Sequence, residues 1–159
     1  MNPETRLFID GELCAAASGK TYPNINPATE VVMGHVADAG PEDMERAIAA
    51  ARRAFDETDW STNHAFRLKC LQQLQQGLRS VVDDFKQQIA AETGSPIGLC
   101  GSMGPQCEEP IRFMDYTLEH LPKYEWSRDI GVSEMMGIKS RRLVEKEAVG
   151  VVACITPWN

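Results

Sequence analysis

Long hydrophobic runs are missing from this 159-residue chain. No stretch approaches the ~18 consecutive apolar residues that cross a bilayer, so no membrane is expected as a partner. Positive charge is also scarce: 16 Lys and Arg stand against 23 Asp and Glu, a formal net charge of -7. A nucleic-acid binder would show a basic stripe, and none is expected among the partners here. The small groups Arg52-Arg53 and Arg141-Arg142 read as solvated faces. The five cysteines, Cys14, Cys70, Cys100, Cys107 and Cys154, contain no Cys-x-x-Cys pair. The start, Met1-Asn2-Pro3-Glu4, lacks the basic and apolar segments of a secretory signal. Reduced thiols and a cytoplasmic location follow as expectations. With 43% hydrophobic and 25% charged residues, the composition is that of a soluble globular protein with a core.

What is present reads as a series of short elements. Asp10-Gly11 separates Leu7-Phe8-Ile9 from Glu12-Leu13-Cys14, the favoured two-residue hairpin turn. A second extended region, 31–36, follows the Asn26-Pro27-Ala28-Thr29 turn. Pro41 opens a helix with Glu42 and Asp43 in its first turn, where the dipole favours anions. Met44, Ala47, Ile48, Ala51, Ala54 and Phe55 make one apolar stripe along it. A second helix is expected near Ser61, burying Leu68, Leu71, Leu74 and Leu78. A third runs from Ser80, with Val82, Phe85 and Ile89 inward, to Gly94 as its C-cap. Cys107, Ile111, Met114, Leu118 and Leu121 share a fourth helical face, which Pro110 either begins or kinks. The segment 138–146 is extended and highly charged, as suits an exposed ribbon. Residues 149–155 form a uniformly apolar run, as suits a buried strand of a covered parallel sheet.

That last run ends in Pro157-Trp158-Asn159, which places an indole and a carboxamide at the carboxyl edge of a strand. Ligands of open α/β sheets collect there. Two readings of Asn159 stand side by side. Its side-chain N–H can donate to a developing oxyanion, or it can simply turn the chain after Trp158. Other candidates are weaker. Gly98, Gly101 and Gly104 match neither GxGxxG nor the P-loop, and no lysine follows, so they read as a flexible connection. Cys100 and Cys107 have no partner histidine at zinc spacing, and Cys107 lies on the apolar stripe, as a buried structural thiol would. His35, His64 and His120 are isolated and receive no role. Cys154 is expected to pack within its strand.

Several segments carry a resemblance. Leu7-Phe8-Ile9-Asp10-Gly11-Glu12, Ile25-Asn26-Pro27-Ala28-Thr29-Glu30, the Ala47-to-Phe55 helix followed by Trp60, Glu92-Thr93-Gly94, and 147–159 occur in this order across nearly the whole chain. Together they resemble the amino-terminal third of the NAD(P)-dependent aldehyde dehydrogenase superfamily. Two positions depart from its pattern: Ser95 stands where a lysine is usual after Glu-Thr-Gly, and Ala148 where the last strand usually carries proline. The resemblance implies an α/β fold with antiparallel hairpins, a helical segment and the first strand of a Rossmann-like parallel sheet. It divides the chain into strands and helices of the cofactor-binding domain at 1–137, a charged oligomerisation ribbon at 138–147, and a core strand with the PWN end at 148–159.

The same resemblance implies oxidation of a small-molecule aldehyde to a carboxylic acid with NAD or NADP. The route passes through a cysteine thiohemiacetal and thioester. Asn159 would be the side-chain donor of the oxyanion hole, and Ile155, Thr156, Pro157 and Trp158 would line the dinucleotide cleft. A monovalent-cation site near Asn24, Ile25 and Glu92 is a further, weaker implication. None of the five cysteines matches the family's nucleophile, so these residues alone are expected to be inactive. A homodimer or homotetramer is expected of the full-length protein. The alternative is a non-catalytic, truncated interaction module that self-associates through exposed strands.

Overall fold

The computed structural model describes residues 4–101 and 104–157. Two hairpins come first. β1 (Leu7–Ile9) and β2 (Glu12–Cys14) pair antiparallel. Asp10 and Gly11 between them take φ of 57° and 81°, the left-handed pair that a two-residue turn requires. β3 (Thr21–Ile25) pairs with β4 (Val32–Ala37), with an irregularity at Asn24 and Ile25. Asn26 organises the turn between them. Its Oδ1 accepts the N–H groups of Ala28 at 2.8 Å and Thr29 at 3.1 Å, the local bonding that makes asparagine a turn residue.

α1 (Pro41–Glu57) starts with proline at its first position and Glu42 and Asp43 in its first turn. Asp43 reaches back to accept the Gly40 N–H at 3.0 Å and across to accept the Ala17 N–H at 3.0 Å. It is only 2% exposed. These backbone donors, with the Arg46 guanidinium at 3.3 Å, hold its carboxyl below the usual carboxylate range. Ile9, Ala16 and Ala50 are buried on the same side. The stripe expected to face inward turns largely outward: Met44 is 59% exposed, and Ile48 and Ala54 are exposed as well. The hairpin docks instead through Asp43 and Ala50, one face around, because the buried carboxylate can satisfy backbone donors that an apolar side chain could not.

α2 (His64–Ser80) begins after a 3-10 turn, Asp59–Ser61, and is capped by Asn63, whose Oδ1 accepts the Phe66 N–H at 2.9 Å. α3 (Val82–Thr93) ends at Gly94 with φ of 70°, the left-handed cap read from the sequence. A Cβ at Gly94 would stand 3.0 Å from Pro27 Cγ. α4 (Glu108–His120) holds Pro110 as the third residue of its first turn, where no helical N–H partner is needed, so the proline is accommodated just after the helix start. Cys107, its N-cap, and Ile111 are buried, with Cys100 fully so. Leu74 and Phe85, expected inside, are exposed. On α2 the side chain buried against α4 is instead Gln75, 6% exposed. Its Nε2 donates to Ile111 O at 3.0 Å and Asp115 Oδ1 at 2.7 Å.

β5 (Ser127–Met135) and β6 (Ile138–Glu145) form a third antiparallel hairpin. The charged stretch read from the sequence is therefore the second leg of a ribbon that starts at Ser127. Met136 and Gly137, with φ of 52° and 76°, make its tight turn.

The run 149–155 departs from its expected form. It lies in no strand, and Val149 and Ile155 are 91% and 95% exposed. A strand needs a partner ladder, and every described strand is already paired within its own hairpin. Cys154, expected to pack, is exposed for the same reason. The architecture is α/β, with antiparallel hairpins flanking a helical layer. No described helix is long and apolar enough to cross a membrane.

Candidate functional site

The site implied at the carboxyl end is described in part. Ile155, Thr156 and Pro157 lie in no helix or strand and are exposed, while Trp158 and Asn159 lie outside the described residues. Backbone and an isoleucine side chain can pack a flat ring. A pyrophosphate needs converging N–H donors, as at a helix N-terminus, and these three residues lie in no helix. Among the described residues these three do not by themselves make a dinucleotide cradle, and no chemical step is derived through one.

Upstream, the same segment rests on the helical layer. Ala148, Gly150, Val151 and Val152 line a cleft of about 310 Å³ with Ala51, Ala54, Phe55, Trp60 and Arg67. The carboxyl half of the apolar stripe on α1 thus meets the apolar run. Gly150 sits at φ of 116°, and a Cβ there would stand 3.3 Å from Arg52 Nη1. Behind the cleft is an aromatic stack. His64 lies 4.0 Å from Trp126 at an interplanar angle of 14°, and Tyr124 meets Trp126 edge-on at 4.6 Å. The Arg67 guanidinium lies 5.0 Å from the Trp126 ring, and its Nη2 meets His64 Nδ1.

At the weaker cation position, the structure brings Asn24 and Glu92 together. Asn24 Nδ2 donates to Glu92 Oε1 at 3.0 Å, and Gln88 Nε2 donates to the same oxygen. An amide donor facing a carboxylate satisfies it as a hydrogen-bond acceptor, which is a different role from binding a cation. No group of three or more His, Cys, Asp or Glu among the described residues is placed to hold a metal ion.

The thiols divide by environment. Cys100 and Cys107 are buried, and burial, then the neighbouring Cys100, pushes the Cys107 thiol up. Both features suit structural thiols. Cys14 lies 3.7 Å from Arg46 Nη2, a cation and not a base. His120 stacks on Tyr116 at 4.0 Å, with its Nδ1 2.9 Å from Tyr116 O. The pair Arg52-Arg53 is engaged rather than free: Arg52 meets Asp56, and Arg53 reaches Asp10 at 2.6 Å.

A sequence model of the aldehyde dehydrogenase family matches residues 14–159. The chain belongs to the aldehyde dehydrogenase family. It is similar to a mitochondrial benzaldehyde dehydrogenase of Antirrhinum majus, with 31% identity over 97% of this chain and 28% of that protein. It is similar as well to the NADP/NAD-dependent aldehyde dehydrogenase PuuC of Escherichia coli K12, with 30% identity over 98% of this chain and 30% of that one. In three dimensions it resembles an aldehyde dehydrogenase of Mycobacterium tuberculosis solved with NAD+. The TM-score is 0.72 at 27% identity, over 80% of this chain and 26% of the other. The chain therefore spans less than a third of the length of these relatives.

In this aldehyde dehydrogenase family member, sequence reasoning missed the Asp43 anchor, Gln75 and the His64–Trp126 stack. Asp43 had a local signal, since it stands two residues after a helix-opening proline, where a side chain can reach back to the N-cap N–H. Gln75 and His64 had none, because their partners are distant in sequence.

Proposed function

We propose that these residues form the amino-terminal part of an NAD(P)+-dependent aldehyde dehydrogenase that converts a small aldehyde to its carboxylic acid. The observation that carries this reading is the family match, which runs through the Pro157-Trp158-Asn159 end. Asn159 is assigned to the oxyanion. As a thiolate adds to the aldehyde carbon, negative charge develops on the carbonyl oxygen, and the Asn159 side-chain N–H donates to it. Such a donor supplies ~2.7–4 kcal/mol of transition-state stabilisation. NAD(P)+ would serve as the hydride acceptor, and Ile155, Thr156, Pro157 and Trp158 would contribute packing and backbone contacts to its cleft. The buried Cys100 and Cys107 do not supply the nucleophile. The β5–β6 ribbon is assigned to subunit pairing in a homodimer or homotetramer, and the protein to the cytoplasm.

The test begins with the intact mass of the natural protein, followed by aldehyde-dependent NAD(P)H formation. In the protein carrying a complete site, Asn159→Ala should lower kcat by about 10²–10³-fold. A loss under tenfold would remove Asn159 from the oxyanion hole. The 159-residue chain alone should give no turnover, and steady NAD(P)H formation by it, free of contaminating enzyme, would overturn that part.

A second reading is a non-catalytic module that self-associates through exposed strands. It is favoured by the apolar exposure of the ribbon, where Ile138 is 71% exposed and Val132 and Leu143 are exposed too. The two readings separate on cofactor linkage. NAD(P)+ raises the Tm of a protein with a dinucleotide site and leaves that of the module unchanged.

A further inference from the structure

The turn of the first hairpin carries chemistry that the proposed oxidation does not use. Asp10 is the one aspartate of this sequence that precedes a glycine. The pair forms the tip between β1 and β2, and the Asp10 side chain is 62% exposed. Asp10 holds φ of 57°, a left-handed backbone that a residue with a Cβ adopts at a cost. Gly11 beside it is bare. Nothing stands within 4 Å of the place its Cβ would take, and among the described residues its N–H has no hydrogen-bond acceptor. A carboxyl and an unengaged amide nitrogen are thus neighbours in an exposed turn, a part of a fold that opens readily.

One contact restrains them. Arg53 Nη2, on α1, donates to Asp10 Oδ2 at 2.6 Å. The carboxyl must leave this ion pair before it can swing onto Gly11 N. We propose that Asp10-Gly11 is a site of spontaneous isoaspartate formation and that Arg53 restrains the reaction. Gly11 N attacks Asp10 Cγ and a new N–C bond closes a five-membered succinimide. The carboxyl hydroxyl leaves with the amide proton as water. Water then adds to one of the two ring carbonyls. Breaking the new N–Cγ bond restores aspartate. Breaking the original peptide C–N bond instead leaves the chain running through Cβ and Cγ, with no net change in mass. That product puts one extra main-chain atom into a two-residue turn, so the Ile9–Glu12 pairing loses its register. The carboxylate that Arg53 held is displaced too, and the hairpin loses a tie to α1. The inference is independent of aldehyde oxidation, since it uses no residue of the proposed oxyanion or dinucleotide site.

The experiment keeps the 159-residue chain at neutral pH, warm but below its Tm, and follows its tryptic peptides over time. Trypsin releases the peptide 7–20, in which Asp10 is the only aspartate. An isomer of unchanged mass and shifted retention should accumulate in this peptide, and fragmentation should place it at Asp10. Arg53→Gln should speed its appearance by about two- to fivefold, the scale of an exposed ion pair. Arg53→Lys keeps a cation on α1, and its rate should stay nearer that of the native chain than that of Arg53→Gln. The second variant guards against a folding defect in the first. No isomer at Asp10, or no more of it than at the other aspartates, overturns the site. Arg53→Gln less than about twofold faster than the native chain overturns the role of Arg53. So does Arg53→Lys as fast as Arg53→Gln.

Discussion

The first hairpin, β1–β2, and the last, β5–β6, are built on the same device. Each turns through two residues in the left-handed region, Asp10-Gly11 in one and Met136-Gly137 in the other. Their relation to the rest of the molecule differs. The first is tied to α1 by Asp43, whose carboxylate gathers N–H groups from Ala17 and Gly40, and by the Arg53–Asp10 pair. The last is longer, yet its ionic contact Arg141–Asp129 lies within its own ladder, and Ile130, Val132 and Leu143 on it are exposed. Ladder length and attachment to a fold are thus separate properties. A three-residue strand with a saturated buried carboxylate behind it is part of the body, whereas an eight-residue strand without one is an arm.

The comparison can be broken most sharply by chemical access. Cys100 and Cys107 belong to the helical body and Cys154 to the run beyond the ribbon. A thiol reagent should modify Cys154 on the order of a hundredfold faster than the two buried thiols, because those react only through local opening. Peptide mapping over time reads this directly, and equal rates would show that the helical body opens as readily as the final run.

The next effect is at Asp43. Removing its carboxylate in Asp43→Ala leaves the Ala17 and Gly40 N–H groups unpaired. The Tm should fall by on the order of 5 °C. The change also carries a pH signature. The native carboxyl is held low by the Gly40 and Ala17 N–H groups and by Arg46, so its contribution is complete above the unfolded value of about 3.9. It is lost as pH falls through the native value. The stability difference between native chain and variant should therefore be flat near neutrality and shrink in acid. A difference independent of pH would assign the effect to packing alone.

The smallest effect is expected in the arm. Asp129→Ala removes an exposed pair with Arg141, worth about 0–1 kcal/mol in general. It also removes the acceptor of the Gly131 N–H, 2.8 Å away. The Tm should move by no more than about 2 °C. A fall as large as that of Asp43→Ala would mean that the ribbon is anchored after all.

The legible parts of the fold were the local ones. Asp10-Gly11, Pro41, Gly94 and the Asn26 turn each decide their own backbone within a few residues, and each stands where the sequence placed it. The inward face of α1 was not legible. Hydrophobicity points to Met44 and Ile48, while the anchor is a carboxylate that holds the Gly40 N-cap and Ala17, in the turn between the first two hairpins. β5 was hidden because the shift in pairing between Asp129 and Gly131 interrupts its alternation. Residues 149–155 taught the limit of propensity, since an apolar run encodes readiness to pair and says nothing of a partner. At the candidate site, the closeness of Asn24 and Glu92 followed from family resemblance alone, and the Arg67 cleft had no signal, since its walls come from α1, α2 and the final segment.

The contact between Gly94 and Pro27 has an evolutionary reading. The cap of α3 and the turn before β4 sit so close that a methyl group on Gly94 would make the Pro27 ring give by a few tenths of an ångström. The Asn24–Glu92 bond closes the same seam a few residues away. Substitutions on its two sides are then not independent events. A residue tolerated at 94 depends on what occupies 27, and a mutational scan of paired changes would find epistasis concentrated there, across two stretches of chain that look unrelated when each is read alone.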